Sequence, residues 1–270
     1  DQPRAGTHDV AVGAISSMED EIRTINRLTS LRGTWRPGPA WTIVATIPYV
    51  NRTHEHFANE SGSLELLRWS YRGLGDAEVQ ISRSVLGGPA SRGELRVHWG
   101  AKVPTGRRNV PEVNGEQPEP PARPGTGSWD AILGATATYG VHIPNPAGGD
   151  RATPVRAMII GRWNGKGTEE YRVGRELQAH LAADYPLSRV FAVMLQGNMR
   201  VREKDDVGLT DSERENSGGT WAYFTPGLRA SVADDLSFYA LVQVPVYQRV
   251  NRIQLVSDYN LSLGVTRGVF

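Results

Sequence analysis

Along much of the chain apolar and polar residues alternate one by one. After Leu236, Phe238, Ala240, Val242, Val244 and Val246 share one parity, while Ser237, Tyr239, Gln243, Tyr247 and Arg249 take the other. From Asp258 the alternation resumes, with Tyr259, Leu261, Leu263 and Val265 set against Asn260, Ser262, Gly264 and Thr266, and the sequence stops at Phe270. Period two sends successive side chains to opposite faces of a β-strand, so each such segment has one oily face and one polar face. Trp41, Ile43, Ala45, Ile47 and Tyr49 form another oily face, and Trp129 to His142 repeats the design with Trp129 and Tyr139 flanking small apolar residues. At the rise and tilt of a membrane strand, Trp41 and Tyr49 stand roughly 20 Å apart along the bilayer normal, close to the separation of two interfacial aromatic girdles.

Read this way, the pattern predicts about twelve strands, near 7–17, 23–36, 41–49, 75–86, 93–103, 129–142, 154–163, 170–182, 189–202, 220–232, 236–249 and 257–269. Turns are expected at Pro37-Gly38-Pro39, at Gly87-Gly88-Pro89, at Asn164 to Gly167, at Asp184-Tyr185-Pro186 and at Ala233-Asp234-Asp235, where proline presets φ and glycine accepts what other residues resist. Long loops are expected at about 51–74, 104–128 and 203–219. Short and long connections mostly fall on opposite parity, as in a meander with both termini at the short-turn end; the links after strands six and seven depart from this rule. The fold class this implies is all-β: one domain, residues 1–270, forming a closed antiparallel up-and-down transmembrane β-barrel.

Composition agrees with that class. The chain has 270 residues, no cysteine, 39% hydrophobic and 22% charged residues and a net charge of +1. These values exclude disulfides, thiol chemistry and a strongly basic nucleic-acid binder. A mean hydropathy of −0.40, with no long apolar run, excludes a helical membrane protein but not a barrel, half of whose strand residues face a polar interior. The start at Asp1 suggests a mature product whose leader has been removed, or a leaderless chain.

If the oily parity faces lipid, the other parity lines a lumen. There we place the solute-binding candidates Arg32, Arg36, Arg96, Lys102, Arg156, Arg162, Arg172, Arg200, Arg202, Arg229 and Arg249, with Glu78, Glu94, Asp130 and Glu176 as the acidic set. This excess of cations favours anions if water reaches the interior. The alternative is a narrow barrel plugged by its own salt bridges. Arg27, Arg83, Arg175 and Arg267 fall on the lipid parity, and for Arg27 and Arg175, nearest mid-strand, a bulge or a shifted register is expected. His54 and His56 could begin a metal site, but no third ligand is in view, so no metal is expected. His98, His142 and His180 point inward and could pair with Glu94 or Glu176 as acid–base groups. Lumen polar residues need no catalytic explanation, and no histidine is followed two residues later by serine, as in the outer-membrane phospholipase. An enzyme is therefore disfavoured, and no cofactor is expected.

Three short motifs remain: Gly73-Leu74-Gly75-Asp76, Lys102-Val103-Pro104-Thr105-Gly106, and Gly125-Thr126-Gly127-Ser128-Trp129-Asp130. Together they resemble the outer-membrane family named for the meta-pathway of phenol degradation, over most of the chain from about Trp41. The resemblance implies a transporter- or porin-like barrel in the bacterial outer membrane. Its expected partners are outer-membrane lipid and a small anionic or aromatic solute, with no nucleic acid. The competing expectation is a structural barrel with a plugged lumen that binds an envelope protein. A soluble lipocalin-like or sandwich protein is a third, and it would turn the apolar parity inward. One departure from barrel habit is that Phe270 has the parity opposite to Leu261, Leu263 and Val265, which calls for a bulge near Arg267-Gly268.

Overall fold

A computed structural model describes residues 2–11, 19–60, 63–88, 91–111, 115, 117–144, 152–210 and 212–269. Its strands are β1 (Gln2–Ala5), β2 (His8–Asp9), β3 (Glu19–Gly38), β4 (Trp41–Glu60), β5 (Ser63–Leu74), β6 (Ala77–Gly87), β7 (Gly93–Val103), β8 (Asp130–Val141), β9 (Thr153–Asn164), β10 (Glu176–Pro186), β11 (Phe191–Arg202), β12 (Gly219–Ala233), β13 (Leu236–Val250), β14 (Ile253–Val256) and β15 (Asn260–Arg267). One antiparallel sheet of 12 strands runs β15-β13-β12-β11-β10-β9-β8-β7-β6-β4-β3, with β5 also beside β4. A small sheet joins β14, β1 and β2.

The large sheet is curled, and its inner face can be identified from contacts between strands that are not neighbours. Arg162 on β9 meets Glu78 on β6 at 2.6 Å, with β7 and β8 between them. Arg229 on β12 reaches past β11 to Asp184 on β10. Strands three places apart in a flat sheet lie about 14 Å from one another, so such contacts belong to the concave side. By strand alternation the opposite, convex side carries Ile159, Leu133, Val244 and Leu263, the last 71% exposed. Buried apolar side chains such as Val110, Tyr171, Trp221 and Val256 instead gather toward the long-loop end. The apolar parity therefore faces outward, opposite to a lipocalin or sandwich.

Several expectations change. Residues 51–74 are not a loop. The distal half of β4 pairs with β5 from Tyr49↔Leu74 to Glu60↔Ser63, and with β3 on its other side, making a ribbon that continues the wall. β5 and β6 occupy successive stretches of the same edge of β4, since β6 pairs only with Trp41–Thr46. Of the strand expected at 7–17, the described part, β2, is not in the wall: β1 and β2 form a ribbon with β14, and residues 12–17 lie outside the described residues. β1 is fixed at the long-loop end, where Gly6 accepts from Val250 N and donates to Arg252 O. β15 ends at the short-turn end, with Gly268 N bonded to Asp235 O. The two ends of the chain thus lie at opposite ends of the sheet, not both at the short-turn end. Phe270, with its proposed register correction, is outside the described residues.

The outward arginines need no register error. Arg83 lies over the Trp41 ring at 5.2 Å, and Arg267 faces Asp235 at 3.6 Å, both near the short turns. Arg27 pairs opposite Asn51 where β4 enters the ribbon, and Arg175 precedes β10. None sits at mid-wall, where a cation facing lipid would cost about 2–4 kcal/mol.

Candidate functional site

The inner face is set by the same alternation that makes the outer face oily. Along β7 it presents Glu94, Arg96, His98 and Lys102, and along β10 Glu176, Gln178, His180 and Asp184. Most of its basic groups meet a carboxylate. Arg96 and Glu94 stand at 2.9 Å, Arg162 and Glu78 at 2.6 Å, Arg200 and Glu176 at 3.8 Å, and Arg202 and Asp205 at 4.0 Å. Arg200 also lies over the buried Trp221 ring at 4.4 Å. Such pairing lowers the cost of holding charge in a confined space.

Two centres depart from one-to-one pairing. At the loop end the three glycine-rich motifs converge on Lys102. Its ammonium lies 2.7 Å from Asp130 Oδ2 and 3.3 Å from Asp76 Oδ2, and donates to Thr126 Oγ1 at 2.5 Å and Ser128 Oγ at 3.0 Å. Asp76 in turn accepts from Gly106 N and from both N and Oγ1 of Thr126, each at 2.9 Å. Ser128 donates to Asp130 at 2.8 Å. The glycines explain the close approach. A Cβ on Gly106 would stand 2.6 Å from Gly125 Cα, and one on Gly125 would meet Gly106 just as closely. This network fastens loop 104–128 to the rim, one lysine against two aspartates.

At the turn end the ratio is reversed. Asp184 Oδ2 receives Arg156 Nη2 at 3.2 Å and Arg229 Nη1 at 3.1 Å. The Asp184 side chain is only 6% exposed, whereas those of Arg156 and Arg229 are 44% and 36% exposed. Asp184 falls in a turn expected from the sequence, but β10 runs on through Pro186, and the alternation from Glu176 places it inward.

The loop end is tied together further. Tyr171 donates its hydroxyl to Asp205 Oδ2 at 2.6 Å, and Asp205, 2% exposed, also accepts from Gly174 N. Burial first, then the bond to Asp205, pushes the Tyr171 phenol well above its ordinary pKa of 10.0. Arg123 in loop 104–128 meets Glu169 at 2.7 Å, and Arg52 on β4 donates to Ala122 O at 2.6 Å. Residues 203–219, expected as a long loop, thus include a buried aspartate that anchors the neighbouring loop.

Of the sequence-derived candidates, Arg96, Lys102, Arg156, Arg162, Arg200, Arg202 and Arg229 take the contacts described. Arg32 lies on edge strand β3 and donates to Thr46 Oγ1 at 3.4 Å, and Arg36 is exposed beside the turn after β3. Two placements are corrected. Arg172 is not in a strand but in the link before β10, facing Asp206 at 3.3 Å. Arg249 falls beyond a register shift in β13. There Trp221↔Gln248 keeps Gln248 inward and buried, so Arg249, opposite Thr220, turns to the outer face. His98 contacts Thr136 Oγ1, and His180 contacts Asn198 and Gln178, so neither meets the carboxylates considered for it. His142 follows the end of β8 and is exposed. His54 contacts Thr24 Oγ1 at 2.8 Å and packs against His56 and Trp69, whose ring stacks on Tyr71. Among the described residues no three His, Cys, Asp or Glu side chains gather into a metal-binding group.

No family model matches the chain, and no curated protein matches it in sequence. Its fold is similar to the crystal structure of an outer membrane channel from Pseudomonas putida F1, with a TM-score of 0.66 and 13% identity, over 99% of this chain and 90% of that one. At that identity the likeness establishes architecture alone: an all-β, antiparallel, curled 12-stranded sheet.

Proposed function

We propose that this chain is an outer-membrane barrel of the channel class, similar to the phenol-degradation family its motifs resemble, and that small solutes pass along its charged inner face. The observation that carries this reading is the inversion of the sheet: large apolar side chains outside, ion pairs on the concave side. A contiguous apolar surface of that extent suits hydrocarbon and not water. In this reading β3 and β15 meet to close the curl. Both run toward the short-turn end, so that one seam would be parallel where every other wall pair is antiparallel. The raw excess of inner cations favours anions. Since most of these cations already face a carboxylate, the proposed preference is mild and arises where pairing is unequal. The partners are then membrane lipid and the solute, with no chemical conversion.

Purified protein in planar bilayers should open discrete pores with a mild preference for anions. Absence of conductance across preparations that keep heat-modifiable gel migration would sink the passage reading. A second reading, a plugged barrel that anchors an envelope protein, is favoured by the density of inner ion pairs and by the tied loops. It predicts that same lack of conductance, together with a stoichiometric protein partner on the loop end.

A further inference from the structure

The centre formed by Asp184, Arg156 and Arg229 points to a binding subsite for a single carboxylate on the solute, an inference that we propose and that rests on the inner face being reached by solutes. Elsewhere on that face Glu78, Glu94 and Glu176 each answer one arginine, and at Lys102 two carboxylates answer one cation. Asp184 is the inner carboxylate, among the described residues, that is matched by two cations. One buried negative charge between two guanidinium groups leaves a net charge of +1, which one monovalent oxyanion neutralises.

Donor capacity leads to the same place. Each guanidinium offers five N–H groups in a planar fork, and the bonds to Asp184 use one nitrogen from each. Arg156 and Arg229 remain more than a third exposed on the concave side, while the carboxylate that holds them is covered. Asp184 therefore positions the pair, and their unused edges face the interior. On the side of β10 and β11 the inner neighbours are small, Ala182 opposite Arg156 and Ala192 opposite Arg229; on the other side stand Thr138 opposite Arg156 and Tyr239 opposite Arg229, the latter with its ring against Gly264. Planar, paired N–H donors match the two oxygens of a carboxylate better than a point charge would.

The test uses the full chain in a non-ionic detergent, with 4-fluorobenzoate as probe and 4-fluorobenzamide as its neutral isostere, both followed by fluorine NMR. Wild-type protein should bind the acid and not the amide. Arg156→Gln and Arg229→Gln should each weaken binding about tenfold, and the double variant should lose it. Asp184→Asn should tighten binding, because it removes the resident competitor. An anchor that served only to hold β9, β10 and β12 together would instead leave affinity unchanged or reduced in that variant. Equal binding of acid and amide, or affinity retained in the double variant, would overturn the subsite. Bilayer conductance of the same preparations separates the two proposals: binding without conductance supports the subsite and removes passage, whereas conductance without acid preference leaves passage and removes the subsite.

Discussion

The two unequal charge centres of the inner face teach more together than either does alone. At the loop end one lysine is enclosed by two aspartates, a threonine and a serine, and three chain segments cross within van der Waals distance of one another. At the turn end one aspartate is enclosed and its two arginines are not. The first centre consumes its polar capacity internally, so its work is to hold loop 104–128 across the rim. The second keeps unused donors facing the interior, so it can act on something that arrives. Burial of the charged partners, not the count of charges, separates anchor from contact point.

Lys102→Met breaks the first centre most severely. It leaves two buried carboxylates without a cation, and stability in lipid or detergent should fall by about 3–5 kcal/mol, read from urea unfolding. Trypsin should then cut at Arg107 or Arg108. An unchanged unfolding midpoint would mean that the network is ornamental.

Ile159→Arg tests the wall between the centres. Ile159 is half exposed on the outer face of β9, and a cation there should cost about 2–4 kcal/mol in a bilayer. Ile160→Arg, on the inner parity, should cost clearly less. A reversed order would place the oily parity in the wrong medium.

Tyr171→Phe removes the hydroxyl bonded to Asp205 and should cost about 1.5–3 kcal/mol. The sign of its pH dependence follows from the raised phenol pKa. The folded state keeps a proton that the unfolded state releases near the ordinary value of 10.0, so this contribution is full below that pH and is lost as pH rises above it. Wild-type stability should therefore decline above pH 10.0 more steeply than that of the phenylalanine variant, and parallel pH profiles would refute the assignment.

Asp184→Asn should cost the least, about 0–1 kcal/mol, because its arginines keep water as an alternative partner. Its signature lies in permeation, as a reversal potential displaced toward anions. No displacement would show that the turn-end centre does not face the path of ions.

Strand period and face were legible wherever one side of a segment is oily. Trp41 to Tyr49, Asp130 to Val141 and Phe238 to Val244 all take the faces that alternation assigns. The β4–β5 ribbon was not legible, because Arg52, His54 and Glu55 make both of its faces polar and leave no period-two signal. Arg249 was misassigned because one inserted residue in β13 inverts every parity beyond it. Arg172 was misassigned because only Val173 and Gly174 separate it from Arg175, too few residues for alternation to tell the start of a strand from the link before it.

What the chain determined through its own order of residues is therefore local: which segments extend, which side of each is apolar, and where glycine and proline allow turns. That follows from backbone geometry, which acts over one or two residues. Apart from Glu94 and Arg96, two residues apart on β7, the carboxylate that meets each inner cation was decided by how the strands and loops come together. Glu78 and Arg162 are far apart in the chain, and Asp184, Arg156 and Arg229 come from three different strands. Charge pairing depends on distances across a concavity, and no periodicity along a single strand encodes those distances.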